Sequence, residues 1–309
     1  MNRMFALAVA MCLAVPASAQ IVVDGTLDAA YGPALAVQTV ETQFGDNFSE
    51  WNAGYGKIDG GRLYLMLTGN LEANFNKLSI FIDSKAGGQS VFQSAGNDNA
   101  FRMDGLVFDA GFTANYHIIA RRGSDGGGPK FDLDFADLGA LTASGYFDFL
   151  TGGGDSGTGS TGTGVNASPI HVGYDNSNVA GIAGGTGAAD QTAALAVTTG
   201  LELSIALSDL GYAGGVIKVM VGQNGGGHDY WSNQFLGGLP TGLMNGPGAG
   251  TGTGNLGGDG NGNFTGTAAI DFSAIAGDQF FVVVPEPAGG ALFALAAMGL
   301  AAAARRRSA

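Results

Sequence analysis

Cysteine is nearly absent from this chain of 309 residues, because its one cysteine, Cys12, lies in the apolar N-terminal segment. A domain that begins after that segment therefore contains none. This excludes disulfide bonds and cysteine-ligated metal sites as sources of its stability. The domain must instead be held together by an ordinary apolar core, with or without bound ions.

Basic side chains are also scarce. Lys and Arg number 13 against 26 Asp and Glu, and four of the 13 lie near the chain ends, at Arg3, Arg305, Arg306 and Arg307. Such an acidic body repels polyanions, so we expect neither nucleic acid nor anionic lipid to bind its surface. The charge suits a soluble extracellular protein or one that collects divalent cations.

The common catalytic motifs are missing too. His117, His171 and His228 are scattered and form no His-Glu-x-x-His motif, and the chain has neither a Gly-x-Ser-x-Gly elbow nor a Gly-Lys-Ser/Thr phosphate loop. We therefore predict that the protein is not an enzyme. A glycosidase-like pair of carboxylates stays open as a minor alternative, with Glu202 and Asp83 as the residues to consider.

The N-terminus has the pattern of a secretory signal peptide. Arg3 is followed by an apolar stretch at residues 4–15, and Ala17 and Ala19 supply the small side chains that a signal peptidase requires. We predict cleavage after Ala19, so that residues 1–19 are the signal. The alternative is an N-terminal membrane anchor, for which the stretch is short.

The C-terminal segment, residues 285–309, contains a Pro-Glu-Pro tripeptide, an apolar run and an arginine cluster. The tripeptide is Pro285, Glu286 and Pro287, the apolar run is residues 288–304, and the cluster is Arg305, Arg306 and Arg307. As a helix, the apolar run of 17 residues reaches about 25 Å, enough for a thin bilayer. The arginines favour the cytoplasmic side, which predicts a transmembrane helix with the body of the protein outside the cytoplasm.

This order of signals resembles the PEP-CTERM sorting signal of bacterial exported proteins. The resemblance covers only residues 285–307. It implies recognition by an exosortase-type sorting enzyme, an inner-membrane-anchored precursor, and a final place at the cell surface or in an extracellular matrix rich in polysaccharide. Cleavage and simple retention of the tail both stay open.

Between these two signals, residues 20–284 predict one domain of short strands separated by glycine-rich turns. The clearest pattern is a hairpin of residues 54–58 and 62–68 around a Gly-rich turn. The other predicted strands are residues 21–23, 77–83, 116–121, 201–207, 216–221 and 279–284, and a short helix at 188–197 is left open. The pattern is typical of an all-β fold, an antiparallel, jelly-roll-like β-sandwich.

Glycine, at 56 residues, is concentrated in two tracts of that domain. Residues 152–164 and 246–266 are rich in Gly, Ser, Thr and Asn and contain few apolar side chains. Because such tracts bury little apolar surface, we predict that both are loops.

Parts of the body resemble family-nine carbohydrate-binding modules and related DOMON-like sandwiches. The segment from Asp24 to Gly32, with Tyr31 where that family often has Trp, is similar to their opening. The strand with Glu202 and the strand that ends at Asp83 follow in the expected order. The resemblance implies a β-sandwich and a polysaccharide ligand.

Two sets of side chains are candidate binding residues. Trp51, Tyr230 and Trp231 lie beside polar residues, and a sugar site needs aromatic faces to stack on pyranose rings. Packing of both Trp into the core is the alternative.

Asp83, Asp98 and Asp104, with the intervening asparagines, are close enough in sequence to supply oxygen ligands to Ca²⁺. A solvated acidic loop is the alternative.

Three functions follow from these observations. The first is a non-enzymatic surface or matrix protein that binds extracellular polysaccharide. The second is a structural envelope or biofilm matrix component without a specific ligand. The third, a glycoside-active enzyme, requires two carboxylates that face each other across a cleft.

Overall fold

The computed structural model describes residues 20–240 and 270–285. That part is mostly β-structure, with one short α-helix, α1, at Gln191–Leu195. The strands, β1 to β13 in chain order, are Ala36–Val37, Trp51–Asp59, Arg62–Gly69, Lys77–Asp83, Tyr116–Ser124, Pro129–Asp137, Thr142–Tyr146, Ser156–Ser160, His171–Asp175, Gly200–Ala206, Ile217–Asn224, Trp231–Leu236 and Phe281–Val283.

The strands form two sheets, and every ladder between them is antiparallel. One sheet has six strands in the order β1-β2-β3-β10-β9-β8. The other has seven, in the order β12-β11-β4-β5-β6-β7, with β13 also paired to β11. The predicted β-sandwich is therefore confirmed at the level of two packed antiparallel sheets, while the jelly-roll detail stays a prediction.

The β2–β3 hairpin shows how local sequence sets these elements. Asp59 pairs with Arg62, so the turn consists of Gly60 and Gly61 alone. Both have positive φ angles, 54° and 78°. A two-residue turn with two positive φ values matches the right-handed twist of its strands, and glycine adopts it without strain.

The main core lies between the sheets. Leu201, Leu203 and Ile205 of β10 are buried in it, and Leu207, the residue after β10, packs against it, as their alternation predicts. In β4, Leu78, Ile80 and Ile82 enter the same core from the other sheet, while the residues between them face outward.

A second core covers the outer face of the seven-stranded sheet. Phe81 on β4 packs edge-on against Phe92 and Phe108, which belong to the long connection from β4 to β5. That connection includes a 3-10 helix at Asn97–Met103. The sheet is thus covered on both faces, which explains why so many of its outward side chains are buried.

Two expectations from the sequence are wrong. The tract 152–164 is not wholly a loop, because Ser156–Ser160 forms β8 and pairs with β9. Its glycines allow a close approach, since a Cβ on Gly157 would lie 2.4 Å from the carbonyl oxygen of Thr151. Residues 21–23 form no strand. The N–H of Val22 instead donates to Oδ2 of Asp28 at 2.7 Å.

Several predicted segments lie outside the described residues. These are the signal peptide 1–19, the glycine tract 246–266 and the tail from Glu286 onward. Within the described ranges, no helix is long and apolar enough to cross a membrane.

Candidate functional site

Both tryptophans lie in the interior, each with an exposed fraction of 0%. Trp51 belongs to the main core, and its Nε1 donates to Oε1 of Gln223 at 2.8 Å. Trp231 packs against Phe235 and Phe272 in the second core. A sugar-stacking pair requires solvent-facing rings, so these positions match the core alternative instead.

Tyr230, the third aromatic residue of the predicted sugar site, is half-buried. Its ring lies 5.4 Å from that of Phe44, centroid to centroid, at a tilt of 60°. Burial is the main cause that raises the pKa of its phenol, and the nearby negative charge of Asp229 raises it further. Tyr230 therefore helps to close the loop end of the sandwich.

The structure does not bring Asp83, Asp98 and Asp104 together around one point. Asp98 contacts the first residue of β4 and Asp83 is its last, a separation of about 20 Å along a strand. Their partners are Lys218 for Asp83, Lys77 and Arg121 for Asp98, and the N–H of Ser94 for Asp104. Among the described residues, no group of three or more His, Cys, Asp or Glu could hold a metal ion. The Ca²⁺ site expected from their spacing is thus not assembled in the described residues, because Asp83 and Asp98 lie at opposite ends of β4 and each is paired with a cation.

Glu202 and Asp83, the two carboxylates considered for catalysis, lie on different sheets. Glu202 projects from the outer face of the six-stranded sheet and accepts the N–H groups of Asp24 and Gly25 at 2.9 and 3.1 Å. The hydroxyl of Tyr31 donates to it at 2.8 Å. Burial raises the pKa of Glu202 to about 7 despite these donors. The carboxylate therefore anchors the N-terminal segment, and the two residues share no cleft.

The loops at one end of the sandwich enclose a cleft of about 420 Å³, which we call the end cleft. It lies between the β1–β2 loop, the β3–β4 loop, the end of β5 and the residue after β9. Its lining residues are Asn47, Phe48, Leu71, Glu72, Ala73, Arg122 and Asn176. Concave sites with an apolar wall and a few fixed polar groups are where small ligands usually bind.

Phe48 and Arg122 form the two chemically distinct walls of the end cleft. Phe48 is 58% exposed, which is unusual for a large aromatic side chain. Arg122 donates from Nη1 to the carbonyl of Leu71 at 3.0 Å and forms an ion pair with Asp155. Its Nε is buried and has no hydrogen-bond partner in the described structure. The guanidinium is therefore held in place and keeps one donor unused.

A buried amide network behind Phe48 fixes the loops. Glu50 is fully buried and accepts from the N–H of Asn47 at 2.9 Å. Its other oxygen accepts from the side-chain amides of Asn52 and Asn178 at 2.9 and 3.0 Å. Burial raises the pKa of Glu50, although these hydrogen bonds act in the opposite direction. These hydrogen bonds join the β1–β2 loop to β2 and to the segment after β9, which gives this side of the cleft a defined shape without a ligand.

Sequence reasoning did not select the residues of this cleft. Phe48 and Arg122 are far apart in sequence and match no motif. One signal was available, because Arg121 and Arg122 are adjacent in a chain with few basic residues. Consecutive cations in a strand point to opposite faces, so at least one of them faces the interior and needs a partner.

The fold is that of an antiparallel β-sandwich protein with a cleft at one end. No protein-family model, curated protein or solved structure matches the chain. Its function therefore has to be argued from its own residues.

Proposed function

We propose that this chain is an exported, non-catalytic protein of the cell surface or extracellular matrix that binds polysaccharide in the end cleft. Its export rests on the signal peptide pattern, and its sorting rests on the PEP-CTERM-like tail and an exosortase-type partner. The tail holds the precursor at the inner membrane before processing.

One observation carries the binding proposal: an exposed aromatic side chain lines the same cleft as fixed polar groups. The ring of Phe48 can stack on the apolar face of a pyranose. Arg122 and Asn47 line the same cleft, so their side chains are the polar groups available to the hydroxyl groups of a sugar. Hydroxyl-rich rings with one apolar face match this combination.

The test is sedimentation of the full chain, kept soluble in mild detergent, with particles of cellulose or chitin, with and without Ca²⁺. Wild type is expected to bind, and Phe48→Ala to bind about three- to tenfold more weakly because one stacking platform is lost. Phe101→Ala is the matched control, because Phe101 is 54% exposed and does not line the end cleft. Equal binding by the two variants would contradict this site.

Burial of both tryptophans favours a second candidate, a structural matrix component without a specific ligand. That function predicts no saturable binding to any polysaccharide. It shares the export and sorting steps, which predict a mature protein that lacks residues 1–19 and the arginine tail. Mass spectrometry of surface protein that still carries Arg305, Arg306 and Arg307 would contradict sorting by cleavage.

A further inference from the structure

A second cleft lies on the outer face of the seven-stranded sheet, beside its edge strand β7. Its volume is about 290 Å³, and it is lined by side chains that include Asn97, Asp98, Arg121, Asp134 and Phe147. We call it the face cleft. No residue of the end cleft is among its lining residues.

The floor of the face cleft is a buried group of charges. Nη1 of Arg121 lies 3.1 Å from Oδ2 of Asp98 and 3.0 Å from Oδ2 of Asp134. Nζ of Lys77 lies 2.6 Å from the same oxygen of Asp98. Nε of Arg121 also lies 3.5 Å from Asp132. Because each charge is fixed by an opposite one, the floor is rigid and largely neutralised.

Phe147 forms the wall and is 67% exposed. The guanidinium carbon of Arg121 lies 5.6 Å from the centroid of the Phe147 ring, and this cation–π contact helps to fix the position of the ring. The exposed remainder is an aromatic surface in a fixed position above a polar floor. This arrangement repeats the combination found in the end cleft.

Asn97 adds an unused acceptor. Its Nδ2 lies 3.5 Å from Oδ2 of Asp134, whereas its Oδ1 is buried and has no hydrogen-bond partner among the residues described. A buried acceptor without a donor is costly, and the side chain that carries it lines the face cleft. Three carboxylates against two cations make the floor unfavourable for an anion.

We propose that the face cleft is a second binding site, for a neutral, hydroxyl-rich sugar ring. Phe147 stacks on the ring, and the side chains of Asn97, Arg121 and Asp134 supply the polar contacts to its hydroxyl groups. The proposal rests on the proposed function, since it assigns the same class of ligand to a second surface. With sites on two surfaces, one molecule bridges two polysaccharide chains and acts as a cross-linker.

The test measures binding and bridging by the full chain in mild detergent. Binding is read from retardation in native gels that contain hydroxyethyl cellulose, xylan or galactomannan. Bridging is read from the capture of a fluorescent form of the same polysaccharide by cellulose particles that carry the protein. Phe147→Ala is expected to weaken retardation about three- to tenfold and to abolish bridging. Phe147→Tyr, which keeps the ring, should restore both, and Phe101→Ala is the exposed control.

The outcomes separate the two proposals. If Phe48→Ala loses binding while Phe147→Ala behaves like Phe101→Ala, the face cleft is overturned and the end cleft stands. If only Phe147→Ala loses binding, the face cleft stands as a sugar site, while the end cleft and the cross-linking are overturned. If wild type is retarded by none of the polysaccharides, both proposals fail.

Discussion

Arg121 and Arg122 are consecutive residues of β5, and their side chains lie on opposite faces of the seven-stranded sheet. Arg121 contacts Asp134 on the outer face, whereas Arg122 donates to the carbonyl of Leu71 at the loop end of the main core. Because successive side chains of a strand alternate, two neighbouring cations support two separate clefts. A shift of β5 by one residue would therefore disrupt both clefts at once.

The charge group around Arg121 makes the first prediction. Arg121→Met leaves Asp98, Asp132 and Asp134 close together without their shared cation. Loss of one partner from a buried ion pair typically costs about 3–5 kcal/mol of unfolding free energy. Urea unfolding should show this loss. Lys130→Met, which removes the exposed partner of Asp125, is the control and should change stability little. Equal losses of unfolding free energy in the two variants would show that the buried charge group stabilises the fold no more than an exposed ion pair does.

His117 makes a second prediction, which concerns stability in acid. It is fully buried, it stacks on Phe81 at 4.3 Å, and neither ring nitrogen has a hydrogen-bond partner in the described part. Burial lowers its pKa from 6.5 to about 3. Between pH 6.5 and 3, His117 is protonated in the unfolded chain and stays neutral in the folded protein. Stability should therefore fall by about 1.4 kcal/mol per pH unit as the pH drops from 6.5 toward 3.

His117→Phe should remove that part of the slope and keep or raise stability at pH 7, because no polar group is then left unsatisfied. Burial also lowers the pKa of His228, which contributes to the slope in both proteins, so their difference isolates His117. The measurement is urea unfolding at pH 7, 6 and 5. Parallel curves for wild type and variant would contradict the burial of a neutral imidazole.

Glu202 titrates with the opposite sign and makes the third prediction. Burial raises its pKa from 4.5 to about 7. Between these values the folded protein keeps a proton that the unfolded chain has released. Its contribution to stability is thus fully present below pH 4.5 and is lost as the pH rises through 7. Glu202→Gln cannot titrate, so the stability difference between wild type and variant should shrink from pH 4.5 to pH 7.5. A constant difference would contradict the raised pKa.

The sequence predicts most of the strands that alternate clearly and misses those that do not. Residues 77–83 were predicted with the bounds that β4 has, because polar and apolar side chains alternate there and one face enters the core. β8 was missed because its Ser, Thr and Gly residues carry no apolar signal; it forms because glycine permits close packing against a neighbouring backbone. β12 was missed because three consecutive polar residues, Ser232 to Gln234, interrupt its alternation. β6 was missed although Phe131, Leu133 and Phe135 alternate there with acidic residues.

The candidate sites were harder to predict than the fold. The polar neighbours of Trp51 and Trp231 made them candidate sugar-binding residues. Both instead lie in the interior, because a large aromatic ring contributes most to stability when it is buried. No feature of the sequence singled out Phe48 and Phe147, which are the exposed aromatic residues of the two clefts. Only the packing of distant loops decides which aromatic residue remains at the surface, and no local pattern carries that information.

For a chain exported as we propose, the hydrogen bond between Tyr31 and Glu202 delays the docking of the N-terminal segment. The two residues are 171 positions apart. A chain that emerges from a membrane channel N-terminus first presents Tyr31 early and Glu202 much later. The segment of residues 20–31 therefore cannot dock until β10 has emerged and paired. The first part of the mature chain to reach the exterior is among the last to be fixed, and until then it remains open to the proteases and chaperones outside the membrane.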